Sequence, residues 1–227
     1  MPNVLVTGAN RGVGLALAGA YAARGDSVIA TARKPSDADA LARAHPGVRV
    51  LALDVTDAAA LDRLAATLKA ETLDIVICNA GIMGSRGGIA DDGHDAAEWA
   101  GMMATNVTGA FLTARAALPG LMRSKAGKLA FISTMMASSA LAAGGVYSYR
   151  ASKAALANLG LNLSVDLKPK GIAVGIYHPG WVATDMGGGS APVQPADSAR
   201  GLVRRIDQLS LASTGVFEDY QGQPFAF

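Results

Sequence analysis
The chain has 227 residues, 51% of them apolar and 17% charged. That is long enough to bury one sizeable core, too short for two ordinary domains, and too apolar for a disordered protein. A balance of 20 basic against 18 acidic residues leaves a formal charge of +2, which argues against an electrostatic nucleic-acid binder, and no stretch of ~18 consecutive apolar residues offers a membrane span.

Short β-branched runs alternate with longer helical patterns along the whole chain. The first expected strand, Asn3–Val6, runs into Thr7-Gly8-Ala9-Asn10-Arg11-Gly12-Val13-Gly14 and a helix at about Val13–Arg24, with Gly25 as its stop. Nothing before it reads as a secretory leader, so the expected compartment is cytoplasmic. Glycines between a strand and a helix let the backbone turn tightly and let a pyrophosphate approach the amides at the helix N-terminus. The spacing, Gly-x-x-x-Gly-x-Gly, departs from the more usual Gly-x-Gly-x-x-Gly, and a purely structural turn is the alternative. The second strand, Ser27–Ala32, ends in Ala30-Thr31-Ala32-Arg33-Lys34, with no acid at its tip. An acid there binds a ribose 2′-hydroxyl, whereas arginine suits a 2′-phosphate. Arg33 and Arg11 together predict a preference for NADPH over NADH, against the plainer reading of two solvated arginines.

A helical pattern at Asp37–Ala44 follows, then a strand Val48–Leu53, a helix Ala58–Ala70 behind the N-cap candidate Asp57, and a strand Leu73–Cys78. Cys78 is the one cysteine, and its apolar run reads as a place for a buried structural thiol. Next come a helix over Asp95–Lys125, a strand Lys128–Ser133, a helix Tyr147–Lys168, a strand Gly171–Tyr177, a helix Ala196–Leu209 and a strand Gly215–Glu218. Most strands are apolar on both sides of the pleat, as where helices cover both faces of a parallel sheet. The expected fold is α/β: a doubly wound, seven-stranded parallel sheet of Rossmann type with right-handed crossovers, in one domain over residues 1–227.

Tyr149 and Lys153 stand four residues apart in a helical segment, one turn apart on one face. A phenol titrates near ~10, too high for easy proton exchange at neutral pH. An ammonium at roughly 5 Å, with an effective dielectric near ~20, favours the phenolate by about 3 kcal/mol, or about two pKa units. That predicts Tyr149 as an acid/base toward an alcohol or carbonyl oxygen. Tyr147 lies six residues before Lys153, well around the helix, and is the poorer candidate. His45, His94 and His178 have no metal-ligand spacing, so no metal site is expected.

Together these residues resemble the short-chain dehydrogenase/reductase family, in its single-domain branch, over essentially the whole chain. Thr7 to Gly14 is similar to the family's glycine turn, which implies cofactor contacts from Gly8, Asn10, Arg11, Gly12, Val13 and Gly14. Asp54 and Val55 resemble its adenine-contacting segment, and Asn79-Ala80-Gly81 the segment closing the fourth strand over the cofactor. Asn106-Val107-Thr108-Gly109 resembles the helix with the catalytic asparagine. Tyr149 and Lys153 match the active-site pair, and Pro179, Gly180, Val182 and Thr184 the segment contacting nicotinamide and pyrophosphate. The segments Tyr-Arg-Ala-Ser-Lys and His-Pro-Gly-Trp-Val-Ala-Thr-Asp-Met-Gly-Gly look most like C-factor-like and sniffer-like carbonyl reductases. The family's serine pair after the fifth strand is here Ser133-Thr134; strand register favours Thr134 for the catalytic hydroxyl, with Ser133 as the alternative.

The resemblance implies an NADP(H)-dependent reductase of ketone, aldehyde or quinone carbonyls, reversible to alcohol oxidation. In it Tyr149 donates the proton, Thr134 or Ser133 binds the developing alkoxide, Lys153 binds the nicotinamide ribose, and Asn106 holds a water in a proton relay. Met135, Met136, Trp181 and Met186 fall near the cleft or pack in the core, and Gly84-Ser-Arg-Gly-Gly88 reads as a flexible rim. The alternative is an NADP(H)-binding sensor or signalling protein with little turnover. The resemblance also implies a small-molecule substrate and a homodimer through Thr105–Lys125 and Tyr147–Lys168.

Overall fold
A computed structural model describes residues 1–227. Seven parallel strands, β1 (Asn3–Val6), β2 (Ser27–Ala32), β3 (Arg49–Ala52), β4 (Ile75–Cys78), β5 (Lys128–Ile132), β6 (Ala173–His178) and β7 (Val216–Asp219), lie in the order β3-β2-β1-β4-β5-β6-β7. Strand apolarity on both sides has a direct cause. Leu5, Val76 and Phe131 face one core with Leu61, Leu64, Leu121 and Leu156. Their neighbours Val4, Val6, Ile75, Ile77, Ala130 and Ile132 face the other with Leu17, Tyr21, Leu202 and Ile206. Alternate residues of each strand therefore bury on opposite faces, under α3 (Ala58–Leu68), α5 (Ala110–Arg123) and α6 (Tyr147–Leu167) on one side, and α1 (Gly12–Ala23) and α7 (Pro195–Gln208) on the other. Cys78 is buried in the first core, and burial pushes its thiol up to about 12.

Local chemistry sets the ends. The Asp57 carboxylate accepts from the Ala59 amide (2.9 Å), capping α3 as expected. Gly25, in left-handed conformation at φ 89°, stops α1. The expected helix over Asp37–Ala44 divides into a 3₁₀ turn, Pro35–Ala38, and α2, Asp39–Ala44. The expected helix over Asp95–Lys125 is also corrected: α4 (Ala96–Met103), capped by Asp95, and α5 are joined by a π-helical turn, Ala104–Gly109, with Asn106 buried inside it. No helix is long and apolar enough to cross a membrane.

The strand order reverses between β1 and β4, so the connections leaving their C-terminal ends diverge and open a crevice there. Phe131, fully buried in the strand beside β4, holds the sheet against α5 and α6. Phe131→Ala is expected to cost about 3–5 kcal/mol, seen as a lower urea midpoint at unchanged slope.

Candidate active site
Above the crevice lies a cavity of about 750 Å³. Thr7, at the end of β1 and buried, organises its floor. Its hydroxyl accepts from the amides of Asn79 (3.0 Å) and Ala80 (3.1 Å), while the Asn79 side-chain amide donates back to the carbonyls of Thr7 (2.9 Å) and Gly8 (3.2 Å). This tie draws the ends of β1 and β4 together and shapes the glycine turn. Gly8 has φ 64°, and a Cβ on Gly14 would stand 2.2 Å from the Gly8 oxygen, so neither position takes a side chain. Helix α1 starts at Gly12 with no capping side chain and no acid in its first turn. Its first amides, a partial positive charge, are left to an anion. These residues fit a nucleotide's pyrophosphate.

Gly8, Asn10, Arg11, Gly12, Val13, Gly14, Arg33, Asp54, Val55, Asn79, Ala80, Gly81, Tyr149, Lys153, Pro179 and Thr184 all line this cavity. Hydrogen bonds from Thr56, and then the Arg33 charge, hold the Asp54 carboxyl below its ordinary range. Arg11 departs from expectation: it pairs with Asp185 at 2.7 Å, both side chains well exposed at 63% and 75%, instead of standing free beside Arg33. Gly180 and Val182 depart too, bordering a second, smaller cavity.

Tyr149 and Lys153 sit in the first two turns of α6, 6% and 4% exposed. Three left-handed residues, Gly144, Gly145 and Val146, deliver the chain into this helix; Val146 at φ 51° is strained for a β-branched residue. The Lys153 ammonium donates to the Ile132 carbonyl at the end of β5 (2.8 Å) and lies 5.9 Å from the centre of the Tyr149 ring. The Lys153 charge, expected to lower the Tyr149 pKa, is not what sets the direction of its shift here. Burial dominates and pushes the phenol up to about 12, opposed only by the Thr134 hydroxyl against it. Burial likewise pushes Lys153 down to about 8.

The two hydroxyls after β5 diverge as strand alternation requires. Ser133 donates to the Lys153 backbone carbonyl (3.2 Å), whereas Thr134 accepts from the Met136 amide (3.3 Å) and meets the phenol. The Asn106 side chain is committed to protein on both sides. Its oxygen accepts from the Ile82 amide (2.8 Å), and its nitrogen donates to the Ile82 carbonyl (3.0 Å) and the Ser152 hydroxyl (3.0 Å). These bonds tie the rim at Ile82 to α6 at Ser152.

The second cavity, about 160 Å³, shares Val13, Ser133, Tyr149, Pro179, Thr184 and Met186 with the first. Tyr149 thus faces both. Of the two places left open for them, core or cleft, Met136, Trp181 and Met186 take the cleft, joined by Met83, while Met135 is exposed and not part of the lining. His178 is kept neutral there by burial, which pushes its imidazole down to about 4. The stretch after Thr184 folds back on itself: Ala183 donates to the Val193 carbonyl and Val193 to that of Trp181, just before α7 begins.

Sequence reasoning passed over Thr7 and Asp185. Thr7 carried a signal, a hydroxyl between the last strand residue and the first glycine; Asp185 carried none. Thr7→Val keeps the shape but strips an acceptor from two amides. The expected cost is about 1–3 kcal/mol, measured by urea denaturation; an unchanged midpoint would assign those amides to other partners.

Comparison with known proteins gives a consistent picture. The family model described as short chain dehydrogenase matches residues 2–194. The C-signal protein of Myxococcus xanthus is 40% identical over 151 residues, covering 66% of this chain and 90% of that protein. Among solved structures, the NADPH-bound carbonyl reductase from chicken fatty liver superposes with a TM-score of 0.91 at 31% identity, covering 100% of this chain and 99% of that one. The carbonyl reductase Sniffer of D. melanogaster gives 0.91 and 31%, with both chains covered completely.

Proposed function
Because the chain belongs to the short-chain dehydrogenase family, we propose that it is an NADPH-dependent reductase of ketone, aldehyde or quinone carbonyls, with Tyr149 as the proton donor. One observation carries the reading: a buried phenol, with a buried ammonium one turn along α6, borders both a nucleotide-sized cavity and the small apolar one beside it. The likeness to carbonyl reductases, one of them bound to NADPH, adds support.

In this proposal the glycine turn and the open N-terminus of α1 hold the pyrophosphate, and Arg33 holds the 2′-phosphate. Lys153 binds the ribose next to the nicotinamide. When bound, the cofactor supplies the hydride. The substrate carbonyl lies in the smaller cavity, its oxygen accepting from Tyr149 and Thr134. Tyr149 gives its proton to that oxygen as charge builds there, and the Lys153 ammonium stabilises the phenolate left behind. Burial keeps the phenol in its protonated form, the one that carries the proton to be given up. Asn106 acts as a positioning residue through Ile82 and Ser152. Homodimerisation through α5 and α6 belongs to the same proposal, with Phe111 and Val165 exposed on those helices.

The likeness to C-signal favours a second reading, a nucleotide-binding signalling protein. Tight NADPH binding without turnover across a broad carbonyl panel would select it.

Tyr149→Phe is expected to cut NADPH oxidation by a carbonyl substrate by orders of magnitude while NADPH affinity, followed by fluorescence titration, changes little. Thr134→Ala should cost about 10²-fold or more in kcat, and Ser133→Ala much less; the reverse order would move the catalytic hydroxyl to Ser133. Arg33→Asp should raise the Kd for NADPH at least tenfold, about 1.4 kcal/mol, and leave that for NADH nearly unchanged. Equal use of both cofactors by the unaltered protein would refute the assigned preference.

A further inference from the structure
We propose that Arg86 is the specificity-determining residue of the smaller cavity and recognises a carboxylate carried by the carbonyl substrate. The assignment rests on the reductase reading above. Arg86 is the one permanently charged side chain lining that cavity. The walls are Met83, Met136, Trp181 and Met186, soft apolar surfaces suited to a hydrocarbon or aromatic body. A guanidinium at the exposed rim of such a pocket is where the anionic end of an otherwise apolar substrate would lie.

The Arg86 charge is unspent. It takes part in no ion pair. Its side chain makes one bond, from Nη2 to the Met186 carbonyl on the opposite lip, which leaves most of the five N–H donors of a planar fork that matches a carboxylate in two-point contact. Neighbouring acids are occupied: Glu98 accepts from the Ser85 amide and the Ser148 hydroxyl, and Asp91 from the Gly93 amide.

The residue is also held in place relative to Tyr149. On one side of it the Ser85 amide donates to Glu98 (2.9 Å); on the other the Gly87 carbonyl meets His94 Nε2 (3.2 Å). Glu98 in turn takes the hydroxyl of Ser148, the residue before Tyr149 in α6. The rim segment is thereby tied to the helix that carries the phenol, fixing the span between anion receptor and proton donor. That span selects by substrate length as well as by charge.

The test compares benzoylpropionate with its methyl ester, a matched pair differing in the anion, with NADPH as reductant. The unaltered protein is expected to show the higher kcat/KM for the acid, mostly through KM. Arg86→Gln should lower kcat/KM for the acid about tenfold more than for the ester, Arg86→Lys should recover part of the difference, and added salt should erode it. If Arg86 only braces the Met186 lip, both compounds lose equally in Arg86→Gln, and the proposal falls. It falls as well if the unaltered protein prefers the ester. Calorimetric binding of the acid to the protein with NADPH separates the two levels. Arg86-dependent binding without turnover would overturn the reductase reading and keep the anion site; turnover of both compounds with no Arg86-dependent selectivity would do the opposite.

Discussion
Where β1 and β4 run side by side, their continuations must part: one turns into α1, the other crosses to the rim segment before α4. The Thr7 hydroxyl accepting from Asn79 and Ala80, with the Asn79 amide donating back to Thr7 and Gly8, keeps those ends together at the point of divergence. Backbone polar groups leaving a sheet have lost their ladder partners and need others. Here two side chains supply them within one residue of the last strand positions. The glycine turn, the open end of α1 and the entry to the rim segment all take their positions from that knot. Glycine at position 14 is then a matter of space, since the Gly8 carbonyl and the Asn79 amide already fill the room a methyl group would take.

The electrostatics of the buried pair follow from the same packing. Desolvation disfavours charge on either group, so the phenol holds its proton and the ammonium gives its own up more easily. Proximity alone does not produce an activated phenolate, because both groups lie in a region of low polarisability and the ammonium is turned to the Ile132 carbonyl. The resting arrangement is therefore a protonated phenol beside a weakly held ammonium proton.

Much of this was legible in the residues. Strand positions apolar on both sides announced a two-faced parallel sheet, and the glycines between β1 and α1 announced a phosphate-sized turn. That Ser133 and Thr134 would find different partners was legible too, because strand alternation sends neighbours to opposite sides. Less legible were features set by tertiary packing. The π turn around Asn106 leaves no mark in a pattern of Ala, Thr and Val. The pKa of Tyr149 depended on how much water the fold excludes, which spacing along a helix does not encode. Asp185 reached Arg11 only because the stretch after Thr184 doubles back, and nothing in a glycine-rich run specifies where its one acid will land. The smaller cavity was half visible: spacing could not decide whether Met136, Trp181 and Met186 packed in the core or lined the cleft, and Met83 came from the rim segment without a signal.

The Arg11–Asp185 bridge lies over the larger cavity with both charges mostly in water. Exposed pairs of this kind are worth about 0–1 kcal/mol, comparable to thermal energy, and weaken as salt is added. The bridge is therefore a loose clasp that ionic strength alone can part, whereas the glycine turn beside it is fixed by backbone shape and crowding.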